Sequence, residues 1–168
     1  METISLPEAG LCNKEQRERI SASTHAAWDR EEKQMPFVRI STGGDALTPR
    51  QIETLQQQTT DLLHQLLGKR KEVTVVTVQQ SPSPIWAAGG RPLAPSMTCA
   101  QVDAVITAGT NSDEEKATFI AAMHRVLREV LGEPSAPVYL MVHELSAAVW
   151  GYDGRTQASR RAERGHVA

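Results

Sequence analysis

The sequence predicts an α/β (α+β) fold in which two βαβ repeats form one four-stranded sheet, mostly parallel or mixed, with two helices on one face. Three observations support this prediction: landmark residues recur 64 positions apart, each copy has a strand-helix-strand pattern, and a glycine follows each helix. The recurring pairs are Thr48 and Ser112, Gly68 and Gly132, Trp86 and Trp150, Gly90 and Gly154, and Arg91 and Arg155.

The first copy begins with an amphipathic strand and continues with a capped helix. Residues 36–42 alternate apolar and polar side chains, as a strand with one buried face does. Residues 48–51 combine an N-cap hydroxyl, a proline in the first turn and a capping-box glutamine. Leucines at helical spacing follow until Gly68, which can end the helix in the left-handed conformation. Residues 73–78 are then expected to form a buried strand.

The second copy repeats this pattern with different residues. A strand is expected over residues 102–107, and Ser112 with Glu115 forms a second capping box. An apolar stripe at helical spacing runs to Gly132, and residues 138–142 form the return strand. Because both helices are expected on the same face, the other face of the sheet needs a cover, which predicts a homo-oligomer.

Composition limits the classes of partner. The chain has 168 residues, is 40% hydrophobic and carries a formal net charge of −2 with both signs interspersed. This pattern argues against a nucleic-acid or membrane partner and leaves small molecules and protein partners. Cys12 and Cys99 are far apart and lack metal-ligand neighbours, so we expect a reduced, cytoplasmic setting and no bound metal. The chain has no apolar run of about 20 residues, and its polar N-terminus lacks the apolar run of a signal peptide, so we expect a soluble, intracellular protein.

The same landmarks divide the chain into three parts. Residues 1–34 form an N-terminal extension, residues 35–98 the first repeat with its linker, and residues 99–168 the second repeat with a C-terminal tail. The linker is the proline-rich stretch at residues 92–96.

Four motifs of the second copy resemble 4-oxalocrotonate tautomerase. They are the helix start at 111–116, the strand residues 142–144, the tryptophan and glycine-rich hairpin at 150–154, and the polar stretch at 159–161. The first copy resembles the same family over residues 36–91. The chain is therefore identified as a tandem (fused) member of the tautomerase superfamily with a tautomerase/MIF-like fold. That superfamily also includes cis-3-chloroacrylic acid dehalogenase and malonate semialdehyde decarboxylase.

The resemblance implies that Pro36 is the catalytic residue, because members of the family use an N-terminal proline as base or acid. A secondary amine in a partly apolar pocket has a pKa lowered from the roughly 7.7–8.0 of α-amino groups toward neutrality. A proline nitrogen within a peptide bond cannot accept a proton in this way, since its lone pair is delocalised. The mechanism therefore requires a chain that begins at Pro36 after removal of Met35.

Residues 1–34 have three open interpretations. In the first interpretation, translation starts at Met35. Glu31-Glu32-Lys33 can be encoded by purines alone, and a purine-rich stretch just before the start codon is what a bacterial ribosome-binding site looks like. In the second, the segment is genuine protein whose residues 10–25 resemble the strand-to-helix opening of chloroacrylic-acid-dehalogenase-like relatives, and the chain is a modified or inactive member. The third is a solvated extension with no role at the site.

The resemblance also implies positions for substrate-binding residues. The family has two carboxylate-binding arginines, one before the helix and one on the second strand. Those positions hold Leu47 and Val75 in the first copy, and Asn111 and Tyr139 in the second. We take Tyr139 as a substrate-binding candidate, and Arg39, on the strand of Pro36, could supply a carboxylate fork instead. A solvated or intersubunit salt bridge is the alternative role of Arg39.

Two tryptophans complete the set of candidates. Trp86 and Trp150 align with the aromatic residue that lines the pocket in the family, and the alternative is that each packs in a subunit interface. The second copy begins near residues 100–101 without a proline, so we expect it to be the structural half.

The expected function is that of a tautomerase, an isomerase moving a proton between carbon and oxygen of a small enol or keto acid, without a cofactor and as a homotrimer. One alternative is a noncatalytic assembly protein that keeps the fold. Another is a proline-dependent hydratase, dehalogenase or decarboxylase.

Overall fold

The computed structural model describes residues 36–164. The expectations about the N-terminal extension, about Met35 as the start and about Cys12 lie outside these residues. Within the described part of the chain, no helix is both long and apolar enough to cross a bilayer.

Each repeat contributes two long strands, one long helix and a terminal hairpin. The first repeat comprises β1 (Phe37–Gly43), α1 (Pro49–Leu67), β2 (Val75–Ser81), β3 (Ala87–Ala88) and β4 (Arg91–Pro92). The second comprises β5 (Cys99–Thr107), α2 (Asp113–Leu131), β6 (Tyr139–Leu145), β7 (Gly151–Tyr152), β8 (Arg155–Thr156) and α3 (Gln157–Arg164).

The long strands form one mixed sheet in the order β2-β1-β5-β6. Each βαβ unit pairs its own strands in parallel, and β1 and β5 join the units in antiparallel pairing. The predicted fold class is confirmed.

The two repeats are related by an approximate twofold axis through the centre of the molecule. Arg39 lies opposite Asp103 in the β1-β5 register, and these residues are separated by the 64-residue repeat. In the helical layer, the Thr59 hydroxyl donates a hydrogen bond to the Met123 sulfur at 3.4 Å, across the same separation. The constant spacing in the sequence therefore corresponds to a structural axis.

Both predicted helix starts are confirmed. The Thr48 and Ser112 side chains accept from the backbone N–H of Gln51 and Glu115, whose own side chains accept from the N-cap backbone. Gly68 ends α1 in the left-handed region, with φ 64° and ψ 25°. Gly132 follows α2 with φ 78° and ψ −171°, which is also a conformation that suits glycine.

The core lies between the sheet and the two antiparallel helices. The start of each helix is tied to the end of the other: Gln51 Nε2 donates to the Val130 carbonyl at 2.9 Å, and Asn111 Nδ2 to the Leu67 carbonyl at 3.1 Å. Asn111 is buried at a position where the family has an arginine, so here that position holds the helices together. The buried apolar core includes Val38, Ile40, Leu55, Leu63, Leu67, Val102, Phe119, Met123 and Leu127.

The expectation of a buried strand over residues 73–78 is wrong in both position and environment. A 3-10 turn at Lys71–Val73 comes first, and β2 begins at Val75, which is 52% exposed. Among residues 36–164 the strand pairs with β1 alone and lies at the edge of the sheet, so it is covered from fewer directions than a central strand. The return strand expected over 138–142 similarly lies at 139–145 and forms the other edge.

The face of the sheet away from the helices is polar at its centre. Arg39 and Asp103 lie there, and His143 Nε2 is 2.8 Å from Asp103 Oδ1. Burial tends to raise the pKa of Asp103, but hydrogen bonds from His143 and Gln101 and the Arg39 charge outweigh it and hold that pKa below its usual value. The exposed apolar surface expected on this face includes Val75 and Tyr139 on the edge strands.

Candidate active site

The backbone conformation of the second repeat's hairpin is fixed by its turn residues and by Gly151. Asp153 and Gly154 both have positive φ, 46° and 72°, as the two-residue turns that match strand twist require. A Cβ at Gly151 would lie 1.9 Å from the Arg155 carbonyl oxygen, so the two short strands approach closely only with glycine there. The Trp150–Tyr152 segment is held in place as a result.

This segment and the start of β1 enclose an apolar pocket of 300 Å³. Pro36 is buried at its base, and its carbonyl accepts the backbone N–H of Val75 at 3.3 Å, which fixes it to the neighbouring strand. None of the lining residues is charged. They are Pro36, Phe37, Val73, Val75, Val105, Trp150, Gly151 and Tyr152.

A second pocket, of 590 Å³, occupies the related position at the other end of β1 and β5. The lining of the second pocket is more polar than that of the Pro36 pocket. Gln101, the repeat partner of Phe37, lines it, and so does Ser41, the repeat partner of Val105. The repeat partner of Pro36 is Ala100, which is 1% exposed. The other lining residues are Gln79, Gln80, Ser81, Ile85 and Trp86.

The tryptophans of the two pockets differ in how their indole N–H groups are satisfied. Trp86 donates to the Ser81 hydroxyl at 2.8 Å and packs against Gly43, where a Cβ would lie 2.6 Å from the indole nitrogen. In the second repeat Leu145 stands where the first repeat has Ser81, so that hydroxyl acceptor is missing. Thr107 stands where the first repeat has Gly43, so a side chain is present there. Trp150 Nε1 is buried and has no hydrogen-bond partner among the described residues.

Helix α3 supports the hairpin of the Pro36 pocket. The backbone N–H of Gln157 donates to the Trp150 carbonyl at 3.0 Å. The Arg160 guanidinium lies 3.7 Å from the centre of the Tyr152 ring, and its Nη2 donates to the Tyr152 carbonyl at 2.9 Å. A cationic side chain therefore stacks on one wall residue of an apolar pocket.

The structure brings together two of the five candidate site residues, Pro36 and Trp150. Trp86 lines the other pocket, and Tyr139 pairs with Gln101 at that same end of the sheet. Arg39 is exposed at the centre of the open face, opposite Asp103, and does not line the Pro36 pocket.

Six lining residues of the Pro36 pocket were not among the sequence candidates: Phe37, Val73, Val75, Val105, Gly151 and Tyr152. Val75 stands at one of the family's arginine positions, and Tyr152 belongs to the hairpin motif, so both had a signal in the sequence. Phe37 and Val105 meet because β1 and β5 pair in antiparallel register.

The remaining ionisable groups near the strands have local partners. Lys116 donates to Glu144 at 2.8 Å and lowers the pKa of that carboxyl, while Glu144 also accepts the Gly109 N–H. His143 bonds Asp103 on the opposite face of the sheet, so the side chains of His143 and Glu144 point apart. Burial raises the pKa of the Cys99 thiol, which keeps it protonated and unreactive.

Comparisons with known proteins agree with this architecture. Residues 101–158 match the family described as Tautomerase enzyme. An asymmetric trimer of wild-type fused 4-OT is similar with a TM-score of 0.65 and 20% identity, over 74% of this chain and 98% of that one. The sequence comparison with curated proteins gives no match.

Two other solved structures extend the likeness. The macrophage migration inhibitory factor-like protein of Entamoeba histolytica has a TM-score of 0.59 and 19% identity, over 72% of this chain and 97% of that one. Pt0534 inactivated by 2-oxo-3-pentynoate has a TM-score of 0.61 and 21% identity, over 73% and 98%. The resemblance of the second repeat to the tautomerase family is thereby confirmed, and so is the tandem tautomerase fold of the described residues.

Proposed function

We propose that this chain, with the tautomerase sequence in its second repeat and the tandem tautomerase fold throughout its described residues, is a tautomerase that acts on a small enol or keto acid. The observation that supports this most is the position of Pro36, at the base of an apolar pocket closed by Trp150 and Tyr152. The proposal applies to a chain that begins at Pro36, where the proline nitrogen is a free secondary amine.

The chemistry needs one group that can both take and give a proton. Ketonisation of an enol acid removes a proton from the enol oxygen and adds one to carbon, so an amine alternating between free base and ammonium can serve both steps. The apolar walls of the pocket disfavour the ammonium form and lower the pKa of such an amine toward neutrality. No cofactor is needed for this proton transfer.

The second repeat would be the structural half of each chain. Its residue equivalent to Pro36 is Ala100, an interior strand residue that is 1% exposed and carries no ionisable group. The division into residues 1–34, 35–98 and 99–168 follows from the same proposal, because the first repeat then begins with its catalytic proline.

We expect the assembly to be a homotrimer. Fused 4-OT forms trimers in the similar structures, both asymmetric and symmetric. The open face offers the charged pair Arg39 and Asp103 together with exposed Val75 and Tyr139, a mixed surface that another subunit can cover.

The two alternatives make different demands on the pocket. A hydratase, dehalogenase or decarboxylase that activates water would need a carboxylate, and none of the residues lining the Pro36 pocket carries one. A noncatalytic assembly protein is favoured by Leu47 and Val75, which stand where the family has its arginines.

Covalent trapping tests whether Pro36 is a free amine in this pocket. The probe is 2-oxo-3-pentynoate, which inactivates the similar Pt0534, and whose conjugated alkyne can add a free amine. A chain beginning at Pro36 should gain the mass of one probe molecule, mapped to Pro36, whereas the chain beginning at Met1 should gain none at that residue. Labelling of the short chain elsewhere, with Pro36 untouched, would contradict the proposal.

A further inference from the structure

The second pocket, which Trp86 lines, differs in chemistry from the Pro36 pocket. Glutamine and serine side chains of β1, β2 and β5 line it together with one aromatic residue, and none of its lining residues carries a charge. Its volume of 590 Å³ lies in the range of small-molecule sites. Uncharged polar walls favour an uncharged polar ligand, since an ion would leave water there without a counter-charge.

Trp86 gives this pocket a fixed apolar surface. Its indole N–H is used in the hydrogen bond to the Ser81 hydroxyl at 2.8 Å, and the ring packs where Gly43 leaves room for it. The residue is only half-buried, so the part of the indole that lines the pocket offers carbon atoms and no free donor. Aromatic rings present a rigid, flat contact area. A ring-shaped ligand with C–H groups on one face matches such a surface.

Two glutamines of the pocket are held by partners that leave opposite groups available. Gln80 Oε1 accepts the backbone N–H of Leu47 at 2.8 Å, which leaves Nε2 as a donor. Gln101 Nε2 donates to Asp103 Oδ2 at 2.9 Å, which leaves Oε1 as an acceptor. The partners dictate both amide orientations, because a backbone N–H can only donate and an ionised carboxylate can only accept. The lowered pKa of Asp103 keeps that carboxylate ionised.

Ser41 and Gln79 add further hydrogen-bonding groups to the same pocket. Among residues 36–164, neither the Ser41 hydroxyl nor the Gln79 side-chain amide has a hydrogen-bond partner. Each of these side chains can both donate and accept, so the pocket offers donors and acceptors together. Ligand hydroxyl groups match this mixture, because each of them also donates and accepts. A carboxylate only accepts, and no lining residue supplies a cation for it.

The polar groups belong to one end of the molecule and are not demanded by the fold. The repeat partners of Ser41 and Gln101 are apolar residues of the Pro36 pocket, and the repeat partner of Gln80 is Glu144, which forms an ion pair with Lys116. The approximate twofold axis exchanges the two pockets. An assembly that keeps this axis and leaves the Pro36 pocket open to substrate therefore leaves the second pocket open as well.

We propose that the second pocket binds a neutral, polyhydroxylated ring of monosaccharide size. One face of the ring packs on Trp86, and its hydroxyl groups exchange hydrogen bonds with the serine and glutamine side chains of the pocket. This binding needs no free amine at Pro36, so it does not depend on the proposed function.

Fluorine NMR of the 168-residue chain labelled with 5-fluorotryptophan can observe the two pockets separately, because Trp86→Phe and Trp150→Phe identify the signals of the two residues. The probe is methyl β-D-glucopyranoside. Cyclohexanol keeps a six-membered ring with a single hydroxyl, and methyl β-D-glucuronide adds a carboxylate to the sugar. The glucoside should shift the Trp86 signal saturably and leave the Trp150 signal in place. Both analogues should bind at least about tenfold more weakly.

Two substitutions in the pocket test which groups bind the sugar. Ser41→Val introduces the side chain of its repeat partner, and Gln79→Met removes an amide from an exposed position, so each should weaken glucoside binding by about three- to tenfold. Thr77→Val is the matched control, because it removes a hydroxyl from β2 outside the pocket and should leave the affinity unchanged. Circular dichroism should show all variants folded.

Three results would overturn the proposal. The first is the absence of a saturable Trp86 shift at about 50 mM glucoside, well above a millimolar Kd. The second is binding of cyclohexanol or of the glucuronide as tight as that of the glucoside. The third is an unchanged affinity in both pocket variants, or a loss in Thr77→Val as large as theirs.

Discussion

The two ends of the molecule occupy related positions in the same fold and differ in chemistry. At one end, Trp86 is tied to Ser81 and packs on Gly43, in a pocket lined by glutamines and serines. At the other end, Trp150 closes an apolar pocket over Pro36, and its N–H has no partner in the described chain. The difference shows how two repeats of one fold can share a backbone while their pockets differ in polarity and in hydrogen bonding.

Two pairs of repeat partners account for most of this divergence. Serine at position 81 satisfies an indole, whereas its repeat partner Leu145 leaves one unpaired. Proline at position 36 introduces a potential amine that Ala100 lacks. The indole N–H is hydrogen-bonded in one pocket, and in the other it is unpaired beside apolar walls.

Among the substitutions considered, replacement of Pro36 should have the largest effect on activity. In a chain beginning at residue 36, Pro36→Ala keeps an amine but changes its basicity and orientation, so ketonisation of phenylenolpyruvate should slow by about 10²-fold or more. The assembly should be unaffected, because Pro36 is not among the residues of the open sheet face that another subunit is expected to cover. The initial rate of ketonisation measures the effect, and sedimentation checks that the variant keeps its oligomeric state. Unchanged rates in the variant would show that another group transfers the proton.

The tryptophans should respond oppositely to the same substitution. Trp86→Phe removes a made hydrogen bond and should lower the free energy of unfolding by about 1 kcal/mol with little effect on activity. Trp150→Phe removes an unpaired donor, so it should leave stability unchanged or raised while weakening substrate binding several-fold. Urea denaturation and steady-state kinetics on both variants test this. If both variants lose activity alike, the two ends are functionally equivalent and the comparison fails.

A smaller effect is expected at the centre of the open face. The lowered pKa of Asp103 means that its carboxylate stabilises the fold fully above its ordinary pKa of about 3.9, and that this contribution is lost as pH falls through the lowered value. Stability should therefore decrease more between pH 7 and pH 3 in the wild type than in Asp103→Asn. Denaturant midpoints at the two pH values measure the difference. Parallel decreases in the two proteins would mean that Asp103 contributes nothing to acid sensitivity.

The sequence predicted the fold well because its signals are local. Capping boxes at Thr48 and Ser112 and the left-handed Gly68 each depend on a few neighbouring residues, and the 64-residue spacing links the two units. The environment of β2 was missed, since whether a strand is central or at an edge depends on strand order, which local pattern does not encode.

The candidate site was predicted only in part for the same reason. Pro36 and Trp150 were identified from the resemblance, but the pairing of β1 with β5 decides that Val105, and not Tyr139, accompanies them. Strand pairing depends on which distant residues meet, so no spacing rule predicts it. The unpaired N–H of Trp150 is instead a local feature, since Leu145, five residues earlier, stands where the first repeat has Ser81, the acceptor for Trp86.

The most direct test of the central claim compares two chains that differ at the nitrogen of Pro36. One is expressed from Met35 and begins at Pro36 after methionine removal, and the other begins at Met1, with both N-termini verified by intact mass. The short chain should ketonise phenylenolpyruvate and the long chain should not, because only a free secondary amine can accept the proton. Equal rates in the two chains, with the long N-terminus intact, would contradict the assignment of Pro36 as the base.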